Sequence, residues 1–303
     1  MAHLTDIAIV GPGKVGTVLG VLAAGAGVHV TAVGARRPGQ ARAAAERIGH
    51  NARPCTPNEA AGAAALVLLT VSDTAIAMVC DALAQAGAFA RGASVAHCSG
   101  ALGSDVLASA RERCGCWVAS MHPLQTFATV DSAVEAFAGT CVFCEGDEQA
   151  RALVGELVEA IGGRCVDIPS SGKALYHAGA ATACNAFAAL VDAALAMFEG
   201  AGIDRETALE AVGPIVRATA DNIAAMGPAR ALTGPVARGD IQTLKRHVRA
   251  LDRTDQDVRE LYLAAARRTI TLARRKGTLD NDTAARMRHI LDMGRTEHGS
   301  ADH

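Results

Sequence analysis

Six residues near the amino terminus have the spacing of a phosphate-binding turn. The segment Gly11-Pro12-Gly13-Lys14-Val15-Gly16 fits G-x-G-x-x-G, follows an apolar strand-like run and opens a helix-like run. In that context the first glycine allows a tight turn, the second lets a pyrophosphate approach the backbone, and the third lets helix and strand pack closely. The free N–H groups of the helix start would then face the phosphates. The whole segment, Lys14 and Val15 included, predicts a dinucleotide-binding turn.

The end of the second strand-like run indicates which dinucleotide is bound. An NAD-dependent protein usually carries Asp or Glu there to hold the ribose 2′-hydroxyl. This chain instead reads Val33-Gly34-Ala35-Arg36-Arg37, without an acid. Because the planar guanidinium binds phosphate oxygens well, Arg36 and Arg37 favour the 2′-phosphate of NADP(H). The alternative is a solvated arginine pair at a loop tip.

Polar residues also follow the later strand-like runs, where ligands bind in parallel sheets. We expect Val71, Ser72 and Ser99 to contact the cofactor, and Ser99, Gly100, His122 and Gln125 to contact the substrate. Ser72 or Asp73 has a simpler interpretation as the cap of the next helix. A lone histidine is usually structural, but His97 and His122 stand at neighbouring strand ends, which makes a role in the site more plausible.

The elements that would position these residues alternate between strand and helix through the first half of the chain. Such alternation predicts a doubly wound, mostly parallel sheet. The expected strands are Asp6–Val10, His29–Val33, Leu66–Thr70, Ser94–His97, Trp117–Met121, Cys141–Phe143 and Arg164–Ile168, and the expected helices are Val15–Ala26, Thr74–Ala86, Ser104–Arg113 and Glu148–Ile161.

After Pro169-Ser170-Ser171-Gly172 the pattern becomes entirely helical. We therefore divide the chain into an NADP-binding α/β domain, 1–170, and an all-helical domain, 171–303. The expected helices are Lys173–Glu199, Arg205–Ala225, Ile241–Leu251, Asp255–Lys276 and Asp280–Met293, with Asp204 as an N-cap and a frayed polar tail over 295–303. The first of these carries Asn185 and Asp192 in an apolar stretch, which favours a buried helix over a membrane span.

The overall composition excludes several classes of protein. The 303 residues include 29 Lys or Arg and 31 Asp or Glu, so there is no basic excess for nucleic-acid binding. Half of the residues are apolar, which is enough for a packed core. The nine cysteines lack a second pair at zinc spacing, and no secretory signal precedes them. We therefore expect a cytoplasmic protein with reduced thiols, no metal site and no membrane partner.

Four segments of the chain resemble a particular bacterial family. They are His97–Leu107, Ser120–Phe127, Lys173–His177 with Asn185, and Leu232–Asp240. The family is the Rossmann-like oxidoreductases with a C-terminal domain of unknown function 2520. It is related to pyrroline-5-carboxylate reductase, ketopantoate reductase and the β-hydroxyacid dehydrogenases. The resemblance implies a nicotinamide-dependent reductase whose helical domain, of the 6-phosphogluconate-dehydrogenase C-terminal type, binds substrate and forms a homodimer.

The resemblance also implies roles for residues of the helical half. In β-hydroxyacid dehydrogenases a catalytic lysine opens the first long helix after the Rossmann domain, with an asparagine one turn later. Lys173 holds the place of that lysine, whereas His177 stands one turn on, within ~40° around the helix. Asn185 and Arg238, the latter in a loop resembling the glycine-rich substrate loop of pyrroline-5-carboxylate reductases, are candidates to bind the substrate. An ordinary surface lysine and arginine are the alternatives.

We therefore expect a dimeric NADP(H)-dependent oxidoreductase that reduces a small carboxylate-bearing carbonyl compound, such as a 2-oxo acid of the ketopantoate type. Lys173 is the first candidate for the proton donor, His122 competes with it, and His177 could relay or orient. One alternative is a reductase of cyclic imines such as pyrroline carboxylates. The other is a non-catalytic NADP(H)-binding sensor, which would bind the nucleotide without oxidising it.

Overall fold

A computed structural model describes residues 3–296 of the chain. Contacts divide the chain into two compact units, one ending at Cys184 and the other beginning at Asn185. The division by contacts falls inside a long helix, and the domain boundary near residue 170 stays a prediction. The reason is local, because Lys173 and Tyr176 at the start of that helix hydrogen-bond to residues of the sheet. The predicted frayed tail covers 295–303, and residues 297–303 of it lie outside the described residues.

The first unit contains one eight-stranded sheet in the order β3-β2-β1-β4-β5-β6-β7-β8. The strands are β1 (Asp6–Val10), β2 (His29–Gly34), β3 (Arg53–Cys55), β4 (Leu66–Leu69), β5 (Ser94–His97), β6 (Trp117–Pro123), β7 (Cys141–Gly146) and β8 (Arg164–Asp167). All neighbours are parallel except β6 and β7. This confirms the doubly wound, mostly parallel sheet.

Helices cover both faces of this sheet. They are α1 (Lys14–Gly25), α2 (Pro38–Ile48), α3 (Pro57–Ala61), α4 (Asp73–Gln85), α5 (Ala108–Cys114), α6 (Val130–Glu135) and α7 (Glu148–Ala160). In β1, Ile7 and Ile9 pack with α1, α2, α6 and α7, whereas Ala8 and Val10 pack with α3, α4 and α5. The two sets of side chains alternate because successive residues of a strand point to opposite faces.

The helical part of the chain follows α7 and β8. Its helices are α8 (Lys173–Gly200), α9 (Arg205–Met226), α10 (Pro228–Ala231), α11 (Ile241–Ala250), α12 (Gln256–Lys276) and α13 (Asn281–Thr296). The predicted cap is confirmed, since the Asp204 side chain accepts a hydrogen bond from the Thr207 amide at 3.0 Å. Leu244, Leu263, Ile270 and Met287 belong to the core that α11, α12 and α13 share.

Several short elements were missed by the sequence analysis. They are β3, α2, α3, α6 and α10. The strand Arg53–Cys55 is only three residues long and contains a proline, so it lacks the apolar run that identifies the other strands. The predicted helix Ser104–Arg113 begins instead as a 3₁₀-helix over Ser104–Leu107.

The long helix α8 is not buried, which contradicts the sequence-based expectation. By length and composition, Ser170–Gly200 is the one described segment that could cross a bilayer, and only 11% of its most apolar window is buried. Leu175 is 81% exposed, and Phe187 and Leu190 are also exposed. The apolar pattern led to the prediction of burial, but a single chain does not cover this face.

Candidate active site

The glycine-rich turn has the geometry that its three glycines predict. Gly11 has a φ of +83°, and a Cβ there would lie 2.2 Å from Val71 Cγ1. A Cβ on Gly16 would lie 2.2 Å from Thr70 Oγ1, so this glycine lets α1 pack on the sheet. A Cβ on Gly13 would meet no atom within 4 Å. The open side of the turn is therefore at Gly13, where a phosphate must approach the backbone.

A cavity of about 670 Å³ lies at the carboxyl ends of β1, β2 and β4. Of the predicted cofactor residues, Gly11, Gly13, Arg36, Arg37, Val71 and Ser72 line it. None of its lining residues is acidic. Within residues 3–296, neither Arg36 nor Arg37 lies within salt-bridge distance of a carboxylate. The two guanidiniums are therefore available to an anionic ligand.

Lys14, Val15 and Ser72 were also predicted to contact the cofactor, and their observed contacts are mainly structural. The Lys14 ammonium donates to the Ala128 carbonyl at 2.7 Å, which ties the start of α1 to the segment before α6. Val15 packs on the core of one sheet face. Ser72 is the N-cap residue of α4, as the simpler interpretation predicted, although its side chain makes no capping hydrogen bond.

His97 is a structural residue, contrary to the expectation that it faces a ligand. Its ring is fully buried, and Nδ1 accepts from the Ser99 amide at 3.1 Å. Nε2 must therefore carry the proton, and it donates to the Gly103 carbonyl at 3.0 Å. Burial lowers the pKa of His97, so the ring is neutral and holds the loop that follows β5.

His122 and His177 meet next to Gly100. An added Cβ on Gly100 would lie 2.6 Å from His177 Cδ2 and 2.9 Å from His122 Nε2. The two imidazole rings are 5.8 Å apart in an edge-to-face arrangement. Only a glycine leaves room for both rings, so the structure brings together three of the predicted site residues.

Tyr176 joins this group, although it was not predicted from the sequence. Its hydroxyl lies 2.7 Å from His122 Nδ1, and its ring packs on Phe143 with centroids 4.3 Å apart. Burial raises the pKa of Tyr176 to about 12. Burial, followed by the charges of His177 and Lys173, lowers the pKa of His122 to about 4. At neutral pH the phenol is protonated and the imidazole is neutral, so Tyr176 can donate to Nδ1 and leave the ring proton on Nε2.

Lys173 lies behind these residues in a buried network. Its side chain is 1% exposed, and Nζ donates to the Ser99 carbonyl at 2.9 Å and to Ser120 Oγ at 2.6 Å. Ser120 Oγ in turn donates to Glu145 Oε1 at 2.6 Å. Burial lowers the pKa of Lys173, with Glu145 as the main opposing influence. The lysine is therefore buried as expected, but its amine is enclosed by protein.

Ser99 connects the loop after β5 to the start of α4. Its hydroxyl donates to Asp73 Oδ2 at 2.7 Å and accepts from the amides of Ala101 and Leu102. The side chain is buried, so its polar atom is used within the protein. The role of Ser99 in the site is therefore to hold the Ser99–Gly100 turn in place.

The remaining predicted substrate residues are Gln125, Asn185 and Arg238. The carboxamide of Gln125 donates to the Ala136 carbonyl at 2.8 Å and accepts from the Thr126 amide at 2.7 Å, so it holds its own loop. Asn185 and Arg238 belong to the second unit, and both side chains are exposed. Their roles remain predictions.

The sequence analysis missed three residues of the site, and two of them stand in patterns that could have identified them. Tyr176 stands three residues after Lys173, a spacing that puts both on one helix face. Glu145 is an acid in the apolar run Cys141-Val-Phe-Cys-Glu145, but the predicted strand ended before it. Ser120 lies within a buried strand, where nothing in its sequence context distinguishes it from a small packing residue.

Two family models match the chain. A Rossmann-like domain matches residues 2–123, and the domain of unknown function DUF2520 matches residues 140–269. The chain therefore consists of a Rossmann-like domain followed by a DUF2520 domain, which confirms the resemblance found in the sequence. No curated protein matches it.

Solved structures share the fold over most of the chain. A protein from Bacteroides fragilis, provisionally described as an NADP oxidoreductase, is 22% identical and has a TM-score of 0.70, over 88% of this chain and 98% of that one. A Thermotoga maritima protein is 26% identical with a TM-score of 0.70, over 89% and 99%. A pyrroline-5-carboxylate reductase from Coxiella burnetii is 16% identical with a TM-score of 0.57, over 90% and 98%.

Proposed function

We propose that this chain is an NADP(H)-dependent oxidoreductase. The observation that carries the proposal is the cavity in which the Gly13 turn is open and two arginines replace the acid of an NAD site. Arg36 and Arg37 pair with no carboxylate within residues 3–296. The backbone at Gly11 and Gly13 would hold the pyrophosphate, and the arginines the 2′-phosphate. The nicotinamide, when bound, supplies a hydride. The description of the Bacteroides fragilis structure agrees with this cofactor.

The proposed substrate is a small carboxylate-bearing carbonyl compound, with a 2-oxo acid of the ketopantoate type as the first choice. Exposed Arg238 would bind the carboxylate, with Asn185, Gly100 and Gln125 as further contacts. A cyclic imine of the pyrroline-carboxylate type is the second candidate. It is favoured by the likeness to a pyrroline-5-carboxylate reductase.

The proposal assigns proton donation to His122, assisted by Tyr176. Both side chains are half-buried beside Gly100, whereas the Lys173 amine is enclosed and has no surface to offer a ligand. His122 would donate the proton of Nε2 to the carbonyl oxygen of the substrate, which becomes the hydroxyl group, as Tyr176 passes its proton to Nδ1. The phenolate then takes a proton from solvent. His177, which also packs against Gly100, would orient the substrate oxygen.

We further propose a homodimer formed through the helical part of the chain. The exposed apolar residues of α8 and α9, among them Leu175, Phe187, Leu209 and Ile215, support it, because a monomer rarely leaves such a large apolar surface uncovered. A cytoplasmic location, and the lack of nucleic-acid and membrane partners, stay predictions from the composition.

The test of the function is a screen of NADPH oxidation with 2-oxo acids, cyclic imines and semialdehydes. We expect turnover of at least one carboxylate-bearing substrate. Turnover confined to cyclic imines would favour the second candidate. Tight NADPH binding without oxidation of any substrate would contradict the enzyme and indicate a sensor.

A further inference from the structure

Glu145 is a buried carboxylate whose hydrogen bonds lead to Lys173. It is 9% exposed and stands opposite Ser120 in the antiparallel pairing of β7 and β6. Direct cross-strand partners carry their side chains next to each other on the same face of a sheet. The change of direction at β7 therefore puts the carboxylate beside the Ser120 hydroxyl.

Three donors converge on this carboxylate. The Ser104 amide and Ser120 Oγ both donate to Oε1, at 2.7 and 2.6 Å, and Ser104 Oγ donates to Oε2 at 2.9 Å. Such convergence is the arrangement expected for a charged carboxylate. Since the single proton of Ser120 is used on Glu145, Ser120 can only accept from Lys173. The order of donors is thus fixed from the lysine to the acid.

The other end of this chain of hydrogen bonds is the Ser99 carbonyl. Lys173 Nζ donates to it at 2.9 Å, and Gly100, the next residue, packs against both His122 and His177. A buried ammonium without a counter-charge is costly and tends to lose its proton. Glu145 supplies that counter-charge through Ser120.

We propose that Glu145 is a positioning residue, which acts through Ser120 to hold the Lys173 ammonium against the Ser99 carbonyl. The result is a fixed positive charge directly behind the turn that carries Gly100. The function of this charge rests on the proposed activity: it would stabilise the negative charge that develops at the substrate oxygen. The arrangement itself does not depend on that activity.

Lys173 is surrounded by several titratable groups. They are Glu145 and Cys144 of β7, Cys98 and His97 of β5 and its following loop, Asp73 of α4, and His122 of β6. Glu145 is the group whose charge favours protonated Lys173 most. Its removal should therefore change the titration of Lys173 more than the removal of any other of these groups.

The test is an NMR titration of protein labelled with ¹³C-lysine. The chain has four lysines, and the Cε signal missing from Lys173→Met identifies Lys173. We expect Lys173 to titrate about 1–3 pH units lower in Glu145→Gln than in the wild type, the range for loss of a close opposite charge. Glu145→Asp, which keeps the charge, should restore most of this shift. Ser104→Ala is the matched control, since it removes one donor and keeps both charges.

An unchanged Lys173 titration in Glu145→Gln would overturn the proposal. Should Glu145→Gln not fold, the folded Ser120→Ala variant is used instead: a lowered Lys173 titration supports the proposal, and an unchanged one contradicts it. The titration does not need turnover, so an absence of NADPH oxidation would not affect the result.

Discussion

The Nδ1 atom of His122 lies 2.7 Å from the hydroxyl oxygen of Tyr176, although 54 residues separate the two in the chain. The end of β6 and the first turn of α8 thus meet at one hydrogen bond, beside Gly100. In the proposed reaction this pair exchanges a proton with the substrate.

His122→Ala and Tyr176→Phe should each lower turnover by ~10²–10⁴, the usual range for loss of a positioned acid. The measurement is kcat for NADPH oxidation with the substrate found in the screen. Tyr262→Phe is a matched control, because Tyr262 makes the same 2.7 Å contact with His247 in the second unit. If Lys173→Met loses turnover while His122→Ala keeps it, the amine is the donor and the assignment to His122 is wrong.

Arg36→Ala combined with Arg37→Ala should remove a preference for NADPH over NADH. Each lost charge-assisted hydrogen bond is worth ~1.5–3 kcal/mol, or roughly ten- to a hundred-fold in affinity. Binding of both nucleotides can be measured by the change in their fluorescence. Arg42→Ala, an exposed arginine of α2 that does not line the cavity, should leave the preference unchanged. Equal affinities in the unmutated protein would contradict the prediction.

The free energy of unfolding should decrease as the pH is lowered from about 6.5 to about 4. The pKa of His122 is about 4 in the folded chain against 6.5 ordinarily, so the unfolded chain takes up the proton first as pH falls. This contribution is fully present above pH 6.5, and its loss by pH 4 lowers the free energy of unfolding by roughly 3 kcal/mol, at about 1.4 kcal/mol per pH unit. His97, whose pKa is also lowered, adds to the same trend.

Urea unfolding at pH 7.5 and pH 4.5 measures this dependence. His122→Gln should lose less stability between the two values than the wild type does. His29→Gln, which changes an exposed histidine, should behave as the wild type. An equal loss for His122→Gln and the wild type would show that His122 titrates normally in the folded chain.

Sedimentation should show a particle of twice the mass of one chain at micromolar concentration. Phe187→Glu on the exposed face of α8 should shift the protein towards the monomer, because a charge in an apolar interface is costly. Trp117→Ser is the control, since it alters a similarly exposed aromatic residue at the start of β6. A monomeric wild type would count against the dimer.

The sequence predicts the parts of this structure that depend on local patterns. The glycine turn, the long buried strands and most of the long helices follow from residue spacing, so their bounds agree with the structure within a few residues. The short strand Arg53–Cys55 and the exposure of α8 do not follow from residue spacing, because they depend on neighbouring elements that a local pattern cannot reveal.

The candidate site, too, could be predicted only where it depends on local patterns. Arg36 and Arg37 line the cavity because they directly follow a strand whose end could be located. Glu145 could not be connected to Lys173 from the sequence, since their link needs β7 to run antiparallel to β6. His97 and His122 looked alike as strand-end histidines. They differ because the loop of His97 folds back onto both of its ring nitrogens.

The hydrogen bond from Ser99 to Asp73 has a consequence for how two ligands would affect each other. Asp73 begins α4, whose first turn borders the cofactor cavity, and Ser99 adjoins Gly100. A nucleotide that moved this turn of α4 would also move the loop against which a substrate would lie. Such coupling is reciprocal, so each ligand would change the affinity for the other by the same factor. A single buried hydroxyl would then link the affinities of the two ligands.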